Sequence, residues 1–427
     1  MADKNSTIPK GWRMTTLGEI PESWQITTAE KFCLKVADGT HATPKPVLNG
    51  KYLVTSKHIK SGKVDLTSAY LISQDDFNEV NKRSKVDQWD ILFSMIGTVG
   101  EIAIIDKNPD FAIKNVGLFK CGNEFKAKWL FYFLRGRIGQ GEIQQRMNGT
   151  TQSYVTLSDL KSFPIIVPSS SDELKAIAAV LSSLDDKIEL LREQNKTLEA
   201  IAQTIFKEWF VNFNFPGATG KMIDSELGKI PEGWEVEKIT DIFEFIKGSE
   251  PGAANYSNEK PNSSFVPFYR VQDISQYGDV PSIYVEEKLL KGKIFGQDDI
   301  LISLDGTIGR VFIGGSGGHS GGIRRVIEKQ DYIKKSLIFC FLKSAKFQND
   351  LKSFSEAETT IKHAGGAVEY MKFVLNEKIC ERFGETIDPL FQKIISNISQ
   401  IQTLSALRDT LLPKLMKGEI RVAEFNN

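Results

Sequence analysis

The sequence is poor in the features that usually reveal an enzyme or a membrane protein. Its 427 residues include only four cysteines and four histidines, and neither type shows the spacing of metal ligands. The formal net charge is zero, so any basic surface must be local. No apolar run reaches transmembrane length, and the polar N-terminus lacks the apolar core of a signal peptide. These absences favour a cytoplasmic protein with free thiols.

Catalytic signatures are also missing. The segment from Gly217 to Met222 has neither the spacing nor the Ser or Thr of a phosphate-binding loop. No Asn-Pro-Pro-aromatic run is present, which an amino-methyltransferase would need to hold its target amine. Asp279, Glu286 and Lys288 resemble a nuclease carboxylate set, but so short a pattern arises easily by chance. The sequence therefore favours a function other than catalysis.

The most regular pattern in the sequence is a heptad seam between Ser170 and Phe210. Ser170 and Glu173 have the spacing of a capping box, and apolar residues then recur in steps of three and four. The seam consists of Leu174, Ile177, Leu181, Leu184, Ile188, Leu191, Leu198, Ala202, Ile205 and Trp209, interrupted by Asn195. Neither Gly nor Pro occurs in it, so we predict one long helix of the coiled-coil type.

A second copy of the seam follows 206 positions later. Its members are Cys380, Phe383, Ile387, Leu390, Ile394, Ile401, Leu404, Leu411 and Leu415, with Asn397 and Arg408 as polar exceptions. Pro389 predicts a kink or a break near residue 388. Two seams in register predict that the helices pair with each other, and a pseudo-two-fold arrangement makes the pair antiparallel.

The segments before the two helices repeat as well. The stretch DILFSMIGTVGEIAI (residues 90–104) returns as DILISLDGTIGRVFI (residues 299–313), and each copy predicts a strand, a tight glycine turn and a strand. Trp24 and Trp234 follow matched Pro-Glu turns and are expected to be buried. Further along, the alignment places Lys114 opposite Arg324, so we predict a basic residue at the same strand position in both halves.

The repeat predicts a duplicated α/β (α+β) fold. Two globular domains with twisted β-sheets are separated by two long helices that form an antiparallel intramolecular coiled coil. The predicted boundaries are residues 1–168 for the first domain, 169–213 for the central helix, 214–375 for the second domain and 376–427 for the C-terminal helix.

These motifs resemble those of the specificity subunits of type I restriction-modification systems, over nearly the whole chain. The resemblance is carried by DGTHATPKP (residues 38–46), the two hairpins, GTTQ (149–152), RVQDIS (270–275) and LLPKLMKGEI (411–420). It departs from the family at Glu173-Leu174, where Glu-Gln is usual. It implies two target-recognition domains that each read one half of a bipartite, asymmetric DNA site.

The resemblance also implies partners and a division of labour. The two helices would set the distance between the half-sites and dock two modification subunits, and two restriction subunits would be further partners. S-adenosylmethionine would be used by the modification subunits, and ATP and Mg by the restriction subunits, so that this chain itself needs no cofactor. The alternatives are a stand-alone nuclease or methyltransferase, and a coiled-coil scaffold that never touches DNA.

The candidate site residues follow from side chains that can contact bases and phosphates. In the first domain they are Thr40, His41, Lys57, His58, Lys114 and Gln152. In the second they are Arg270, Gln272, Arg324, Arg325, Lys362 and His363. The candidates for partner docking are apolar residues at the C-terminal ends of the two helices, namely Ile205, Phe206, Trp209, Phe210, Leu411, Leu412, Leu415 and Met416.

Overall fold

A computed structural model describes residues 8–149, 151–355 and 364–422 of the chain. The chain forms two compact units, and each unit takes part of both long helices. The first unit holds the residues up to Asp186 together with those from Ala406 onward. The second unit runs from Lys187 to Ser405.

The first unit alternates short strands with helices. The strands are β1 (Trp12–Thr15), β2 (Gly18–Pro21), β3 (Gln25–Thr28), β4 (Lys35–Asp38), β5 (Lys51–Val54), β6 (Ile59–Lys60), β7 (Lys63–Val64), β8 (Leu71–Ile72), β9 (Asp90–Ser94), β10 (Ile102–Ile104), β11 (Phe111–Ile113), β12 (Val116–Lys120) and β13 (Pro164–Val167). The helices are α1 (Ala29–Phe32), α2 (Gln74–Ser84), α3 (Glu124–Arg135), α4 (Arg137–Arg146), α5 (Leu157–Lys161) and the first long helix, α6 (Ser171–Phe210).

The second unit repeats this order. Its strands are β14 (Met222–Ser225), β15 (Gly228–Pro231), β16 (Glu235–Lys238), β17 (Phe243–Lys247), β18 (Phe265–Tyr269), β19 (Tyr284–Glu286), β20 (Ile294–Phe295), β21 (Ile300–Ser303), β22 (Val311–Phe312), β23 (Gly317–His319), β24 (Ile323–Glu328) and β25 (Lys372–Leu375). Its helices are α7 (Ile239–Ile242), α8 (Lys335–Lys343), α9 (Ala345–Ser355) and the second long helix, α10 (Glu377–Lys417).

Each unit contains the same four-stranded antiparallel sheet. Its strand order is β10-β9-β12-β4 in the first unit and β22-β21-β24-β17 in the second. The pairs β9–β10 and β21–β22 are the two predicted hairpins, and Gly97 and Gly306 turn their tips at positive φ. Beside the sheet a parallel pair of strands recurs, β5 with β11 and β18 with β23. The fold of the two units is therefore duplicated in its strand connections as well as in its sequence.

The first long helix begins where its capping residue predicts. The Ser170 hydroxyl accepts hydrogen bonds from the N–H groups of Asp172 (3.2 Å) and Glu173 (3.4 Å). Of the predicted kink or break near residue 388, the break is wrong, because α10 continues through Pro389, and the kink stays a prediction. Pro389 lies on the exposed face, while Ile387 and Phe391 on either side of it are buried, and this packing holds the helix together across the lost hydrogen bond.

The two long helices are antiparallel, as predicted. In the first unit Asp185 of α6 pairs with Arg408 of α10, with 2.6 Å between Oδ1 and Nη1. In the second unit the Asn397 amide donates to the Asn195 side-chain oxygen at 2.8 Å. As the residue numbers rise along α6, the numbers of their partners on α10 fall, so the two helices run in opposite directions. The polar exceptions of the two seams are each paired across the helices, which explains why the seams tolerate them.

Each unit has its own apolar core, on which the long helices pack. Trp24 is 1% exposed in the first core and Trp234 is 4% exposed in the second, as the repeated motif predicts. The four cysteines are buried free thiols. Among the described residues, no helix combines the length and the apolar character needed to cross a bilayer.

Candidate nucleic-acid interface

A single 3-10 turn follows the parallel strand pair in each unit. In the first unit it spans Ser56–His58, and in the second Val271–Asp273. The backbone N–H of the residue before each turn is bound by the side chain of its last residue. His58 Nδ1 accepts this bond at 2.9 Å, and Asp273 Oδ2 accepts it at 3.0 Å. The two turns are therefore the same structural element, closed by the same kind of cap.

The middle residue of each turn is exposed and differs between the units. It is Lys57 in the first unit and Gln272 in the second. Because the cap and the flanking strand hold the backbone, the two side chains leave the scaffold from equivalent points. The structure thus offers a different polar group at the same place in each unit, and both residues remain candidates for DNA contact.

His58 does not reach the surface. It is 1% exposed, and its Nδ1 serves the cap. Burial and the nearby Lys57 charge lower the pKa of the ring, which keeps it neutral. A direct contact between His58 and DNA is therefore wrong for this structure. The Thr-x-x-His spacing, read as a capping box, could have indicated the structural role from the sequence.

Three further candidates of the first unit lie together beside the turn. Thr40 forms a parallel bridge with Lys114, whose ammonium donates to Thr43. His41 has an exposed side chain, and its Nδ1 lies 2.8 Å from the Asn115 side-chain oxygen. Asn115 also accepts a bond on its carbonyl from Ser56 of the 3-10 turn, at 3.3 Å. The structure therefore brings Thr40, His41, Lys57 and Lys114 into one cluster, and these stay predictions for DNA contact.

Asn115 is the residue of this cluster that the sequence did not single out. Its φ of 52° is in the left-handed region, which Asn tolerates better than most residues. Its oxygen fixes His41 from one side, while the Asp38 carboxylate lies 3.0 Å from His41 Nε2 on the other. An Asn after a short strand is a weak signal for such a role, so no sequence pattern identified it.

Gln152 is exposed in a loop next to the first hairpin. The Gly97 N–H of the hairpin donates to the Ser153 carbonyl at 3.1 Å. Tyr154 also pairs with Ile96 in an isolated bridge. The hairpin therefore positions this loop, and Gln152 stays a prediction. Of the second unit's candidates, Lys362 and His363 lie outside the described residues.

Arg270 is already occupied by a partner within its own turn. Its Nε and Nη2 donate to the two oxygens of Asp273, at 2.7 and 3.0 Å. These bonds raise the pKa of the guanidinium further. A forked contact to a carboxylate uses the donors that would otherwise bind guanine. In this structure Arg270 braces the turn that presents Gln272.

The hydrogen bonds correct the predicted register between the two units. Gly39 N–H donates to the Val116 carbonyl at 2.8 Å, and Gly248 N–H donates to the Ile323 carbonyl at 3.3 Å. Val116 therefore corresponds to Ile323, and the next residue, Gly117, corresponds to Arg324. The predicted match of Lys114 with Arg324 is wrong.

A second pair of bonds identifies the true counterpart of Lys114. Thr40 N–H donates to the Ile113 carbonyl at 3.0 Å, and Ser249 N–H donates to the His319 carbonyl at 2.9 Å. The residue after each acceptor is Lys114 in one unit and Ser320 in the other. Lys114 is thus a feature of the first unit alone.

The two arginines of β24 are held by the scaffold. Arg325 Nη1 donates to the Ile294 carbonyl at 2.6 Å and lies 3.5 Å from Asp299 Oδ2. Arg324 donates to the Gly321 carbonyl, and burial lowers the pKa of its guanidinium. Both are half-buried rather than extended into solvent. They stay predictions as DNA contacts, and the bonds described here use Nη1 of each guanidinium.

The predicted docking residues are mostly core residues. Phe206 is 2% exposed, and its ring lies 5.9 Å from that of Phe383 and 6.2 Å from that of Phe373. The others with less than a tenth of their surface exposed are Trp209, Phe210, Leu415 and Met416, whereas Ile205, Leu411 and Leu412 are partly buried. The heptad pattern correctly predicted that these helices are buried along one face. The interpretation of Phe206, Trp209, Phe210, Leu415 and Met416 as a surface for a partner is wrong, because these side chains are buried.

The described residues contain no group of three or more His, Cys, Asp or Glu side chains that could hold a metal ion. The residues that resemble a nuclease carboxylate set, Asp279, Glu286 and Lys288, bind neighbouring side chains. Lys288 pairs with Glu286 at 2.7 Å, and Asp279 accepts from Ser275 at 3.1 Å.

Comparison with known proteins gives one family. The model of the type I restriction modification DNA specificity domain matches residues 45–200 and again residues 231–375. The two matches fall on the two halves of the sequence repeat, and together they cover more than half of the chain.

Individual relatives agree with the family match. The specificity subunit of the type I restriction enzyme MjaIX of Methanocaldococcus jannaschii is 27% identical, and the alignment covers 97% of both chains. The HindI specificity subunit of Haemophilus influenzae is 24% identical over 63% of this chain and 72% of its own. The crystal structure of the type I S subunit from M. genitalium has a TM-score of 0.55 and 18% identity, covers 92% of this chain and 96% of its own, and shows the shared fold.

Proposed function

Because this chain belongs to the family of type I restriction-modification DNA specificity subunits, we propose that each of its units reads one half of a bipartite DNA site. The chain is the non-catalytic DNA-recognition component of such a system, which acts together with other subunits. The proposal concerns how the duplicated scaffold divides the recognition between its two halves.

The observation that carries the proposal is the pair of equivalent 3-10 turns. Both are anchored by a parallel strand pair and closed by a side-chain cap, yet one exposes Lys57 and the other Gln272. A lysine ammonium suits the acceptors of guanine, and a glutamine amide suits adenine, which offers a donor and an acceptor side by side. An asymmetric site requires a different contact residue in each half, and the two equivalent turns provide this with Lys57 and Gln272.

The surrounding cluster supports the same function in the first unit. Thr40, His41 and Lys114 lie beside Lys57, and together they provide hydroxyl, imidazole and ammonium groups over a short stretch of surface. Contacts of this kind to phosphate position a protein on the duplex, while contacts to base edges select the sequence. We expect Lys57 to read a base and Lys114 to bind the backbone.

The long helices offer two equivalent surfaces for the modification subunits. Ile201 on α6 is 44% exposed, and Leu407, at the corresponding position of the repeat on α10, is 45% exposed. Large apolar side chains at matched, exposed positions suit two copies of one partner. This pair replaces the buried heptad residues as the proposed docking site for two modification subunits.

Cofactors belong to the partners in this proposal. The modification subunits would use S-adenosylmethionine, and the restriction subunits ATP and Mg, while this chain supplies the DNA site and the spacing between its halves. The purified chain alone should therefore neither cleave DNA nor transfer methyl groups in the presence of these compounds.

The experiment uses the purified complex of this chain with its modification subunit. Methylation mapping first gives the site, and a fluorescent duplex that carries it is then compared with duplexes in which one half-site is scrambled. Each scrambled half should weaken binding on its own, and scrambling both should reduce it to the non-specific level. Equal binding to all four duplexes would overturn the proposal.

A further inference from the structure

A large cavity opens in the second unit beside the first long helix. Its volume is about 840 Å³, within the usual range of small-ligand sites, about 300–1,000 Å³. One wall is formed by residues 274–277, which follow the 3-10 turn, and by Gly309 and Arg310 of the second hairpin. The opposite wall is the middle of α6, from Arg192 to Gln203. We call this cavity the helix-side pocket.

The lining of the helix-side pocket has an excess of positive charge. It contains four basic side chains and one carboxylate, namely Arg192, Lys196, Arg310, Lys343 and Glu199. Glu199 is compensated, because Lys343 lies 2.6 Å from its Oε1 and the Tyr277 hydroxyl donates to its Oε2 at 2.9 Å. Arg310 donates to the Val271 carbonyl at 3.1 Å. Because the carbonyl is neutral, this bond does not compensate the charge of the guanidinium. Lys196 Nζ lies 3.9 Å from Glu193 Oε2, a long contact between two exposed side chains that compensates little of the lysine charge. The remaining field favours an anion.

The pocket is continuous with the turn that exposes Gln272. Arg310 binds the carbonyl of Val271, the residue immediately before Gln272. A second, shallower cavity of about 330 Å³ is lined by Gln272 and shares Ser275 with the helix-side pocket. A duplex held at Gln272 would therefore bring its backbone past Arg310 and toward α6.

We propose that the helix-side pocket binds a backbone phosphate of the unread DNA between the two half-sites, with Arg192, Lys196 and Arg310 as its cations. This assignment deepens the proposed function and rests on it. Contacts to the unread spacer add affinity without changing which bases are selected, because phosphates carry no sequence information.

The chemistry of the pocket disfavours other ligands. One compensated carboxylate does not provide the set of oxygens that a divalent cation needs. A free nucleotide would need an aromatic platform for its base. Tyr277 is the aromatic residue of the lining, and its hydroxyl is bonded to Glu199 in a buried site that raises the pKa of the phenol.

The repeat does not reproduce this charge pattern. The counterpart of Arg310 in the first hairpin is Glu101. The positions of α10 that correspond to Arg192 and Lys196 hold Ile398 and Gln402. Both residues face the second unit, since Ile398 itself lines the helix-side pocket and packs against Gly314, and the Gln402 amide donates to the Gly314 carbonyl at 2.8 Å. Neither side chain offers a cation to a phosphate. The phosphate contact is therefore expected on the side of the second half-site.

The test compares two double variants in the complete complex. Arg192→Gln with Lys196→Gln removes two charges from the pocket. Lys187→Gln with Lys207→Gln removes two exposed charges from the same helix outside the lining. Affinity for an end-labelled duplex with the mapped site is measured against salt concentration. A lost phosphate contact should lower the slope of log affinity against log salt by about 0.9. The pocket variant, which loses one phosphate contact, should therefore change by up to about 0.9, and the control should not change.

The position of the contact is tested with neutral methylphosphonate linkages placed one at a time along the duplex. A linkage in the spacer next to the second half-site should weaken binding by the parent complex and leave the pocket variant unaffected. Equal slopes for both variants would overturn the inference. So would a pocket variant that becomes insensitive to a linkage outside the spacer while it stays sensitive to every linkage within it. Binding of inorganic phosphate to the DNA-free complex, lost in the pocket variant while the slope is unchanged, would assign the pocket to a free anion instead. Failure of the proposed function would look different, since the parent complex would then not prefer the mapped site over a scrambled duplex.

Discussion

At the scale of single residues, the proposal assigns base recognition to the middle residue of the 3-10 turn in each unit. Lys57 and Gln272 are exposed, while the capping residues His58 and Asp273 are held inside the turn. One set of side chains thus fixes the backbone of the turn, and another set is exposed and proposed to contact DNA. A change at the tip should alter recognition without altering the fold.

We expect Lys57→Gln to change base preference at one position of the first half-site. A good bidentate contact discriminates by about 1–3 kcal/mol, so the favoured base should change while the second half-site stays the same. Lys60→Gln, an exposed lysine two residues beyond the turn, is the matched control for the lost charge. Binding is measured on duplexes that carry each of the four base pairs at every position of the half-site. A uniform loss on all of them would identify Lys57 as a phosphate contact.

At the scale of elements, the seams of the long helices could be predicted from the sequence. Apolar residues spaced by three and four lie on one helix face, and the burial of that face is enough to produce the pattern. The hairpins were predictable from their glycines for a similar local reason. The true counterpart of Lys114, Ser320, could not be predicted, because Lys114 and Arg324 both lie in an Ile-basic-x-Val pattern and the sequence therefore matched them wrongly. What sets the true register is the parallel pairing of β11 with β5 and of β23 with β18, which is made by residues distant in sequence.

The buried Asn195–Asn397 pair gives a prediction about the helix pair. Asn397 is fully buried, and its amide donates to Asn195. Asn397→Leu should destabilise the second unit by about 1–3 kcal/mol, because it leaves the Asn195 oxygen buried without a donor. Replacing both residues by Leu should recover most of that loss. Urea unfolding of Asn195→Leu, Asn397→Leu and the double variant measures the coupling. A loss in the double variant equal to the sum of the two single losses would show that the two amides act independently.

The proposed docking surface for the modification subunits also lies on the long helices. Ile201→Lys and Leu407→Lys should each remove one modification subunit from the complex, and the double variant should remove both. Leu190→Lys is the control, since Leu190 is 51% exposed on α6 but its counterpart in the repeat is Ser396. The mass of the complex by native mass spectrometry reports the copy number. Two copies retained by either single variant would place the interface elsewhere.

At the scale of the whole molecule, the long helices are expected to act as a ruler between the half-sites. One heptad inserted after Asp186 and another after Ser405 would lengthen both helices at the boundary of the two units and keep the seams facing each other. Seven residues add about 10 Å to a helix, which is about three base pairs of duplex at 3.4 Å each. Methylation mapping should show the same half-sites with a longer spacer and weaker binding, because the added base pairs also rotate one half-site. An unchanged spacer would contradict the ruler.

The central claim is that each unit reads its half-site independently on a common scaffold. It is tested most directly by replacing residues 239–371 of the second unit with residues 29–163 of the first, at equivalent strand boundaries. The methylation map of cells that express this chain with its modification subunit is the measurement. Because the helices are antiparallel, the account predicts an inverted repeat of the first half-site, and the reciprocal exchange should give an inverted repeat of the second. Independent reading would be contradicted if the map kept the original asymmetric site. It would also be contradicted if both chimaeras folded and neither recognised either half-site.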